Sequence, residues 1–124
     1  MEKKISDSEL AVMSYLWENG PKTASEIIAA LQKKKDWSSK TIRTMIDRLA
    51  AKEIIKVDRS QKELLFSPVI TQKEYEKNTR KQLADRLYNG SIAQLLMNFV
   101  QQDELEKDEI LELKSYLDEL MNQR

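Results

Sequence analysis

The chain has 124 residues, which is enough for one ordinary domain or for a small domain with an appendage. It contains no cysteine and no histidine, and this excludes disulfides, thiolate or imidazole metal sites and the commonest catalytic side chains. The formal net charge is zero, and only two glycines and two prolines interrupt the sequence, which favours long helices and few irregular loops.

The zero net charge conceals an uneven distribution. The segment 33–62 holds ten Lys and Arg against four Asp and Glu, whereas the segment 101–124 holds three against eight. A basic centre predicts a polyanionic partner for that part of the chain, and the acidic end indicates a different role.

No apolar run approaches the roughly 18 residues of a membrane span, and the N-terminus has no signal-peptide pattern. We therefore predict a soluble cytoplasmic protein without direct membrane insertion. The sequence also predicts no metal and no cofactor, because no acidic cluster has the spacing of a calcium loop and no Gly-rich phosphate loop is present.

The sequence contains two capping boxes, in each of which a Ser or Thr is followed three residues later by Glu. These boxes predict the starts of the first two helices. Ser6 and Glu9 predict the start of a helix that ends before Pro21, and Thr23 and Glu26 predict the start of a second helix. The apolar residues after each box recur at helical spacing, which predicts one buried face per helix. These predicted core positions are Leu10, Met13, Leu16, Trp17, Ile27, Ala30 and Leu31.

The stretch DWSSKTIRTMIDRL (36–49) predicts a third helix that runs to about Lys52. Either Ser38 or Ser39 can cap its free backbone N–H groups. Its apolar residues fall on one stripe, and its cations and threonines lie opposite or beside that stripe. The stripe is Ile42, Met45, Ile46 and Leu49, and the other face carries Lys40, Thr41, Arg43, Thr44, Asp47 and Arg48.

In EIIKVDRSQKELLFSP (53–68) the apolar residues no longer recur at helical spacing and instead alternate with polar ones. Ile55 and Val57 alternate with charged residues, a polar turn follows at 58–62, and a second apolar run ends at Pro68. This pattern predicts a two-stranded hairpin with a basic tip formed by Arg59 and Lys62. Three helices followed by a hairpin predict a winged helix-turn-helix domain at residues 1–70.

Residues 71–124 predict three more helices, which begin at Thr71, at Ser91 and within Asp103–Asn122. No helix in this segment has enough neighbours to bury its apolar face within one chain, and a second copy would complete the core. The predicted fold is mainly α with a small β wing, and residues 71–124 form a helical dimerisation domain. The predicted dimerisation residues are Leu87, Leu95, Leu96, Phe99, Ile110, Leu113, Leu117 and Leu120.

The charged half of the third helix allows two interpretations. It is an ordinary solvated face, or it is the face of a recognition helix, which in this fold enters the major groove of DNA. Arginine can bind guanine through two hydrogen bonds, a threonine methyl can contact thymine, and hairpin cations would meet phosphates. We favour DNA binding, with double-stranded DNA as partner. The predicted contacts are Ser39, Lys40, Thr41, Arg43, Thr44, Arg48, Arg59 and Lys62.

The block DWSSKTIRTMIDRLAAKEII resembles the recognition-helix region of the BlaI/MecI penicillinase repressors, which are related to the copper-responsive CopY repressors. The resemblance extends to AVMSYLW (11–17), ASEII (24–28) and LLMNFVQQDEL (95–105). It implies a homodimeric winged-helix repressor that binds an operator dyad and blocks transcription, in a family associated with antibiotic resistance. It also implies that Lys40, Thr41, Arg43 and Thr44 face the groove.

The β-lactam-responsive branch of this family is inactivated by proteolysis at an Asn-Phe bond in the dimerisation region. The matching bond here joins Asn98 and Phe99, and the implied partner is a membrane-bound sensor protease. A simpler interpretation of Phe99 is that it is a core residue of its helix. The copper branch carries a cysteine motif that this chain lacks, which excludes metal sensing through thiolates.

Two alternatives remain open. A winged-helix protein-interaction module would have the same fold without salt-dependent DNA affinity. A repressor released by a small ligand would use the aromatic residues of the second half, Tyr75, Tyr88, Phe99 and Tyr116, to line a pocket. An enzyme is not expected, because no nucleophile–base pair is present.

Overall fold

The computed structural model describes residues 4–102 and 104–124. The described residues form two compact units, the first ending at Tyr75 and the second beginning at Glu76. The described residues are mostly helical with one small sheet, as the sequence predicts. The domain boundary after residue 70 stays a prediction. The elements are α1 (Asp7–Asn19), α2 (Ala24–Gln32), α3 (Ser39–Ala51), β1 (Ile55–Asp58), β2 (Leu65–Pro68), α4 (Gln72–Tyr88), α5 (Ile92–Gln101) and α6 (Lys107–Asn122).

The predicted caps fix the starts of the first three helices. The Ser6 hydroxyl accepts a hydrogen bond from the Glu9 backbone N–H at 3.1 Å, and the Glu9 carboxylate accepts one from the Ser6 N–H at 2.8 Å. Thr23 and Glu26 form the same kind of box at the start of α2. At α3 the cap is Ser38, whose hydroxyl accepts from the Thr41 N–H at 3.1 Å. Satisfying these otherwise free N–H groups stabilises each helix start.

The core of the first unit lies between α1, α2, α3 and the sheet. All four residues of the predicted α3 stripe are buried, and none of the outward-facing cations is. Of the predicted core residues in α1 and α2, Met13, Leu16, Ile27 and Leu31 are buried, whereas Leu10, Trp17 and Ala30 are half-buried. Val12 is also fully buried, because the face of α1 that enters the core is formed by Glu9, Val12, Met13 and Leu16 and is turned away from the predicted Leu10 and Trp17.

The hairpin pairs β1 with β2 in antiparallel register, with Val57 opposite Phe66. Its bounds differ slightly from the prediction, since Asp58 belongs to β1 and β2 begins at Leu65. A further bridge was not predicted: the Lys22 N–H donates to the Phe66 carbonyl at 3.0 Å, and the Phe66 N–H donates to the Lys22 carbonyl at 2.8 Å. This bridge attaches the hairpin to the segment between α1 and α2.

Side-chain caps also start α4 and α5. The Thr71 hydroxyl accepts from the Glu74 N–H at 3.1 Å, and the Ser91 hydroxyl accepts from the Gln94 N–H at 3.1 Å. The last helix starts after Glu106, and Asp103, where its predicted range begins, lies outside the described residues. Among the described residues, no helix is long and apolar enough to span a bilayer.

One ion pair connects the start of α1 to the end of α3. The Glu9 side chain is buried, with 2 % of the residue's surface exposed, and its two carboxylate oxygens lie 2.7 and 3.0 Å from the Lys52 ammonium. Lys52 also donates to the Lys4 carbonyl at 3.0 Å. Burial raises the pKa of Glu9, but hydrogen bonds from Lys52 and Ser6 outweigh burial and hold the pKa below its usual value.

Glu9→Gln should lower the free energy of unfolding at pH 7 by about 1–3 kcal/mol, because it removes a charged acceptor that Lys52 and Ser6 both use. A lowered folded-state pKa contributes stability above the unfolded pKa of about 4.3 and loses it as the pH falls through the folded value. Urea unfolding from pH 7 to pH 3 should therefore give a flatter stability profile for Glu9→Gln than for the wild type.

The matched control is Glu26→Gln, which makes the same change in the exposed capping box of α2. It should change stability markedly less at pH 7. Equal losses in the two variants would contradict the special contribution of the buried pair.

Candidate nucleic-acid interface

The outer face of α3 carries three exposed cations, Lys40, Arg43 and Arg48. None of them forms an ion pair with any residue that the structure describes. They face outward because the opposite stripe of the same helix is buried in the core. Their full charge is therefore available to an external anion.

The small polar residues of α3 are partly engaged by the protein itself. The Ser38 and Thr41 hydroxyls lie 2.9 Å apart, and the Thr44 hydroxyl donates to the Lys40 carbonyl at 2.9 Å. The Ser39 hydroxyl accepts from the Gln32 amide at 3.3 Å. The internal hydrogen bonds fix the positions of these side chains. Each hydroxyl oxygen can still form a further hydrogen bond with an external partner.

A cleft of about 400 Å³ runs between one flank of α3 and the start of α1. Lys40, Thr41, Thr44 and Arg48 line it from α3, so the structure brings four predicted contact residues together. Arg43 does not line the cleft and lies along the other edge of the exposed face. The remaining lining residues are Ser6, Ser8, Glu9 and Met45.

Sequence reasoning missed Ser6 and Ser8 as members of this surface. The capping box identifies Ser6 as a helix start, but only the packing of α1 on α3 places that start beside the cations. The start of α1 carries partial positive charge from the helix dipole, but the Ser6–Glu9 box already uses two of its N–H groups. Because the Glu9 carboxylate is paired with Lys52, the charges in the cleft that attract an anion such as a phosphate group are those of Lys40 and Arg48.

The two predicted cations of the hairpin tip do not line this cleft. Arg59 and Lys62 are exposed in the loop between β1 and β2. The loop start is fixed by Asp58, whose carboxylate accepts from the Ser60 hydroxyl at 2.6 Å and from the Ser60 N–H at 2.9 Å. These hydrogen bonds hold the pKa of Asp58 below its usual value, so the turn is formed by an ionised carboxylate.

The segment before α3 adds further positive charge. Lys33, Lys34 and Lys35 are exposed, and the Lys35 ammonium lies 5.7 Å from the centroid of the Trp37 ring, within range of a cation–π contact. The Gln32 amide donates to the Trp37 carbonyl at 3.3 Å, which ties the segment to α2. Among the described residues, no group of three or more acidic side chains is arranged to hold a metal ion.

The second unit leaves much of its apolar surface uncovered. Of the eight predicted dimerisation residues, Leu95, Leu113 and Leu120 are half-buried and the other five are exposed. Leu87 is 61 % exposed, and Phe99 and Leu117 are each 46 % exposed. An open groove of about 760 Å³ runs between α5 and α6. Phe99 and Tyr116 line it, whereas Tyr75 packs against Trp17 in the first unit and Tyr88 lies outside the groove.

The Asn98–Phe99 bond lies inside α5, near its C-terminal end. Asn98 is exposed, and its carbonyl accepts a hydrogen bond from the Gln102 N–H at 3.2 Å. The bond is therefore accessible at the surface but held in helical geometry.

The first unit has the three helices, the hairpin and the cationic third helix that define a winged helix-turn-helix domain. The chain belongs to the penicillinase repressor family, whose model matches residues 5–119. The family resemblance of the sequence is confirmed, and it places the chain among repressors and not among enzymes.

Two relatives and one solved structure illustrate the similarity. The chain is 38 % identical to a penicillinase repressor of Staphylococcus aureus over 94 % of this chain and 93 % of that protein. It is 35 % identical to the methicillin resistance regulatory protein MecI of Staphylococcus aureus (strain N315) over 92 % and 93 % of the two chains. The solution structure of monomeric BlaI of Bacillus licheniformis in complex with the blaP half-operator matches 59 % of this chain and 89 % of that one, at 34 % identity and a TM-score of 0.54.

Proposed function

We propose that this protein is a sequence-specific DNA-binding transcriptional repressor that acts in the cytoplasm as a homodimer on an operator dyad. The observation that carries the proposal is the set of exposed cations on the outer face of α3, none of which is ion-paired with a described residue, in a chain whose family consists of repressors. The solved complex of a BlaI relative with a half-operator supports DNA as the partner.

In this proposal α3 is the recognition helix. Arg43 lies outside the cleft on the exposed face, which suits contact with a base edge, and arginine binds guanine most specifically. Lys40 and Arg48 line the cleft beside the start of α1, which suits a phosphate of the DNA backbone. Ser39, Thr41 and Thr44 supply hydroxyl and methyl groups to the same face.

The hairpin acts as the wing. Arg59 and Lys62 are exposed on a loop whose start is fixed by the Asp58 turn, and they would contact phosphates without reading sequence. Each phosphate contact adds to the salt dependence of binding, because a neutralised phosphate releases a counterion.

The second unit forms the dimer interface in this proposal. Five of its predicted interface residues are exposed in the single chain, and an open apolar groove lies between α5 and α6. Burying the apolar surface that these half-covered side chains still expose would favour association by about 25 cal/mol per Å², before the entropic cost of association is subtracted. Two-fold pairing would bury each exposed face against its own copy, which is the commonest arrangement in homodimers.

Dimerisation gives the repressor its affinity. Once one copy is bound, the second half-site is met at high effective concentration, and the gain over one copy is about 10²–10⁴. Anything that separates the second unit from the first, or one copy from the other, would remove that gain and release the DNA.

Proteolysis at Asn98–Phe99 provides such a release. The bond lies in α5, and cleavage would detach α6 together with its interface residues. Because the bond is held in helical geometry, the final turn of α5 must unwind locally before a protease can bind it. The partner would be a membrane-bound sensor protease that responds to a β-lactam.

Arg43→Ala should weaken operator binding by about 1–3 kcal/mol and relax the base preference at one position, because it removes a bidentate contact to guanine. Anisotropy titrations with the operator and with single-base variants would measure both effects. Arg80→Ala, an exposed arginine of α4, is the control and should bind like the wild type. Unchanged affinity and base preference in Arg43→Ala would remove this residue from the readout.

Leu117→Lys should weaken dimerisation by about 2–4 kcal/mol, since it replaces an exposed apolar side chain of the proposed interface with a charge. Sedimentation velocity over a concentration series would measure the shift towards monomer. Val69→Lys adds the same charge at an exposed apolar residue of the first unit and should leave the dimer intact. A Leu117→Lys protein that sediments as the wild type does would place the interface elsewhere.

Asn98→Ala should leave operator binding intact, because alanine is a good helix former and the side chain is exposed. It should block induction in cells exposed to a β-lactam, with the full-length chain persisting on an immunoblot. Asn78→Ala in α4 is the control and should remain inducible. Normal induction and cleavage of Asn98→Ala would exclude this bond as the site of inactivation.

A further inference from the structure

A buried carboxylate lies in the cleft where we place a DNA phosphate. Glu9 is the acidic residue among the described residues that line this cleft, and Lys40 and Arg48 line it from α3. Only 2 % of the surface of Glu9 is exposed, so its charge is screened less than that of a surface carboxylate. An uncompensated charge at this position would repel a phosphate in the same cleft.

The carboxylate is kept in the cleft by its structural role at the start of α1. Its Oε1 atom accepts a hydrogen bond from the Ser6 N–H at 2.8 Å, which completes the capping box. Such a box satisfies N–H groups that the helix itself leaves free. The negative charge therefore belongs to the helix start, and another residue has to compensate it.

Lys52 supplies that compensation from the end of α3. Its ammonium lies 2.7 and 3.0 Å from the two carboxylate oxygens of Glu9, and it donates to the Lys4 carbonyl at 3.0 Å. These three acceptor atoms match the three N–H bonds of an ammonium group. Lys52 does not line the cleft, so its charge neutralises Glu9 and does not attract an external anion directly.

Arg48 is the cation that would take over this pairing if Lys52 were absent. The two residues are four positions apart at the end of α3, a spacing that places side chains on the same side of a helix. Arg48 also lines the cleft together with Glu9. A guanidinium paired with Glu9 would no longer be available to a phosphate, because the carboxylate would neutralise its charge.

We propose that Lys52 is a positioning residue for DNA recognition: by holding the Glu9 carboxylate, it leaves Arg48 and the cleft free for a phosphate of the DNA backbone. This inference deepens the proposed function and rests on the DNA-binding role of α3. Lys52 acts through Glu9 and does not itself contact DNA. Because a phosphate contact positions the protein without reading bases, the effect of Lys52 should be the same on every DNA sequence.

The test compares full-length Lys52→Met with a double variant that combines Glu9→Gln and Lys52→Met. Methionine keeps an unbranched side chain without the charge, and glutamine keeps a carbonyl oxygen for the Ser6 N–H. Anisotropy is measured on the operator that the wild type selects from genomic DNA and on a scrambled duplex. The pH is 8, far above the usual glutamate pKa of about 4.3. Stoichiometric titration gives the active fraction of each protein, so that partial unfolding is not mistaken for weaker binding.

We expect Lys52→Met to lose about tenfold in affinity on both duplexes, the size expected for one uncompensated charge beside the phosphate. The slope of affinity against salt should fall by about one, because Arg48 no longer releases a counterion. The double variant should recover the wild-type slope and an affinity within about threefold of the wild type, although it lacks the ion pair.

The matched control uses the ion pair at the other capping box. The Lys22 ammonium lies 3.8 Å from the carboxylate of Glu26, which completes the box of α2 and does not line the cleft. Lys22→Met removes the same charge from the same kind of pair, so it reports the effect of net charge alone. It should bind both duplexes within about twofold of the wild type.

Two results would overturn the inference. Wild-type affinity and salt slope in Lys52→Met would mean that the Glu9 charge does not affect an anion in the cleft. A loss that the double variant fails to restore would mean that Lys52 supports only the fold of the first unit. Equal wild-type affinity for the two duplexes would contradict the sequence-specific repressor but leave the comparison of the variants in place, whereas absence of wild-type DNA binding would remove both.

Discussion

The burial of one stripe of α3 is the constraint on which the rest of the first unit depends. Ile42, Met45, Ile46 and Leu49 can enter the core only if the residues between them face outward, because the helix repeats every 3.6 residues. Burial of this stripe therefore has two effects: it stabilises the first unit, and it directs the cations of α3 outward. The caps at Ser6 and Ser38 and the Glu9–Lys52 pair then fix the start of α1 beside α3, and the cleft between them is the result.

The second unit is subject to the opposite constraint. Its helices are amphipathic, but three helices of this length cannot cover their own apolar faces, and residues such as Leu87 and Met121 stay exposed in the single chain. In the proposed dimer, this incompleteness would make the second unit both the interface and the point at which proteolysis controls it. A helix whose stability depends on a partner can be opened locally at lower cost than one buried in its own chain.

Local features could be predicted from the sequence, and contacts between distant segments could not. The capping boxes at Ser6 and Thr23 and the α3 stripe are encoded within a few residues, and all are present. The Lys22–Phe66 bridge, the Glu9–Lys52 pair and the Trp17–Ile70 hydrogen bond join residues more than 40 positions apart. Such pairs leave no periodic signal, so Ser6 and Ser8 were missed as members of the α3 surface. The choice between Ser38 and Ser39 as the cap also required the structure.

The most direct measurement is selection of fragmented genomic DNA by the purified full-length chain, followed by anisotropy of the recovered duplex and of a scrambled duplex. Titrations would run from about 50 to 300 mM salt. We expect one dyad-symmetric sequence to be enriched, with an affinity that falls steeply with salt and exceeds that for the scramble by about a thousandfold or more. Recovery of no common sequence, with equal affinity for both duplexes, would contradict a sequence-specific repressor and favour a winged helix that binds a protein partner.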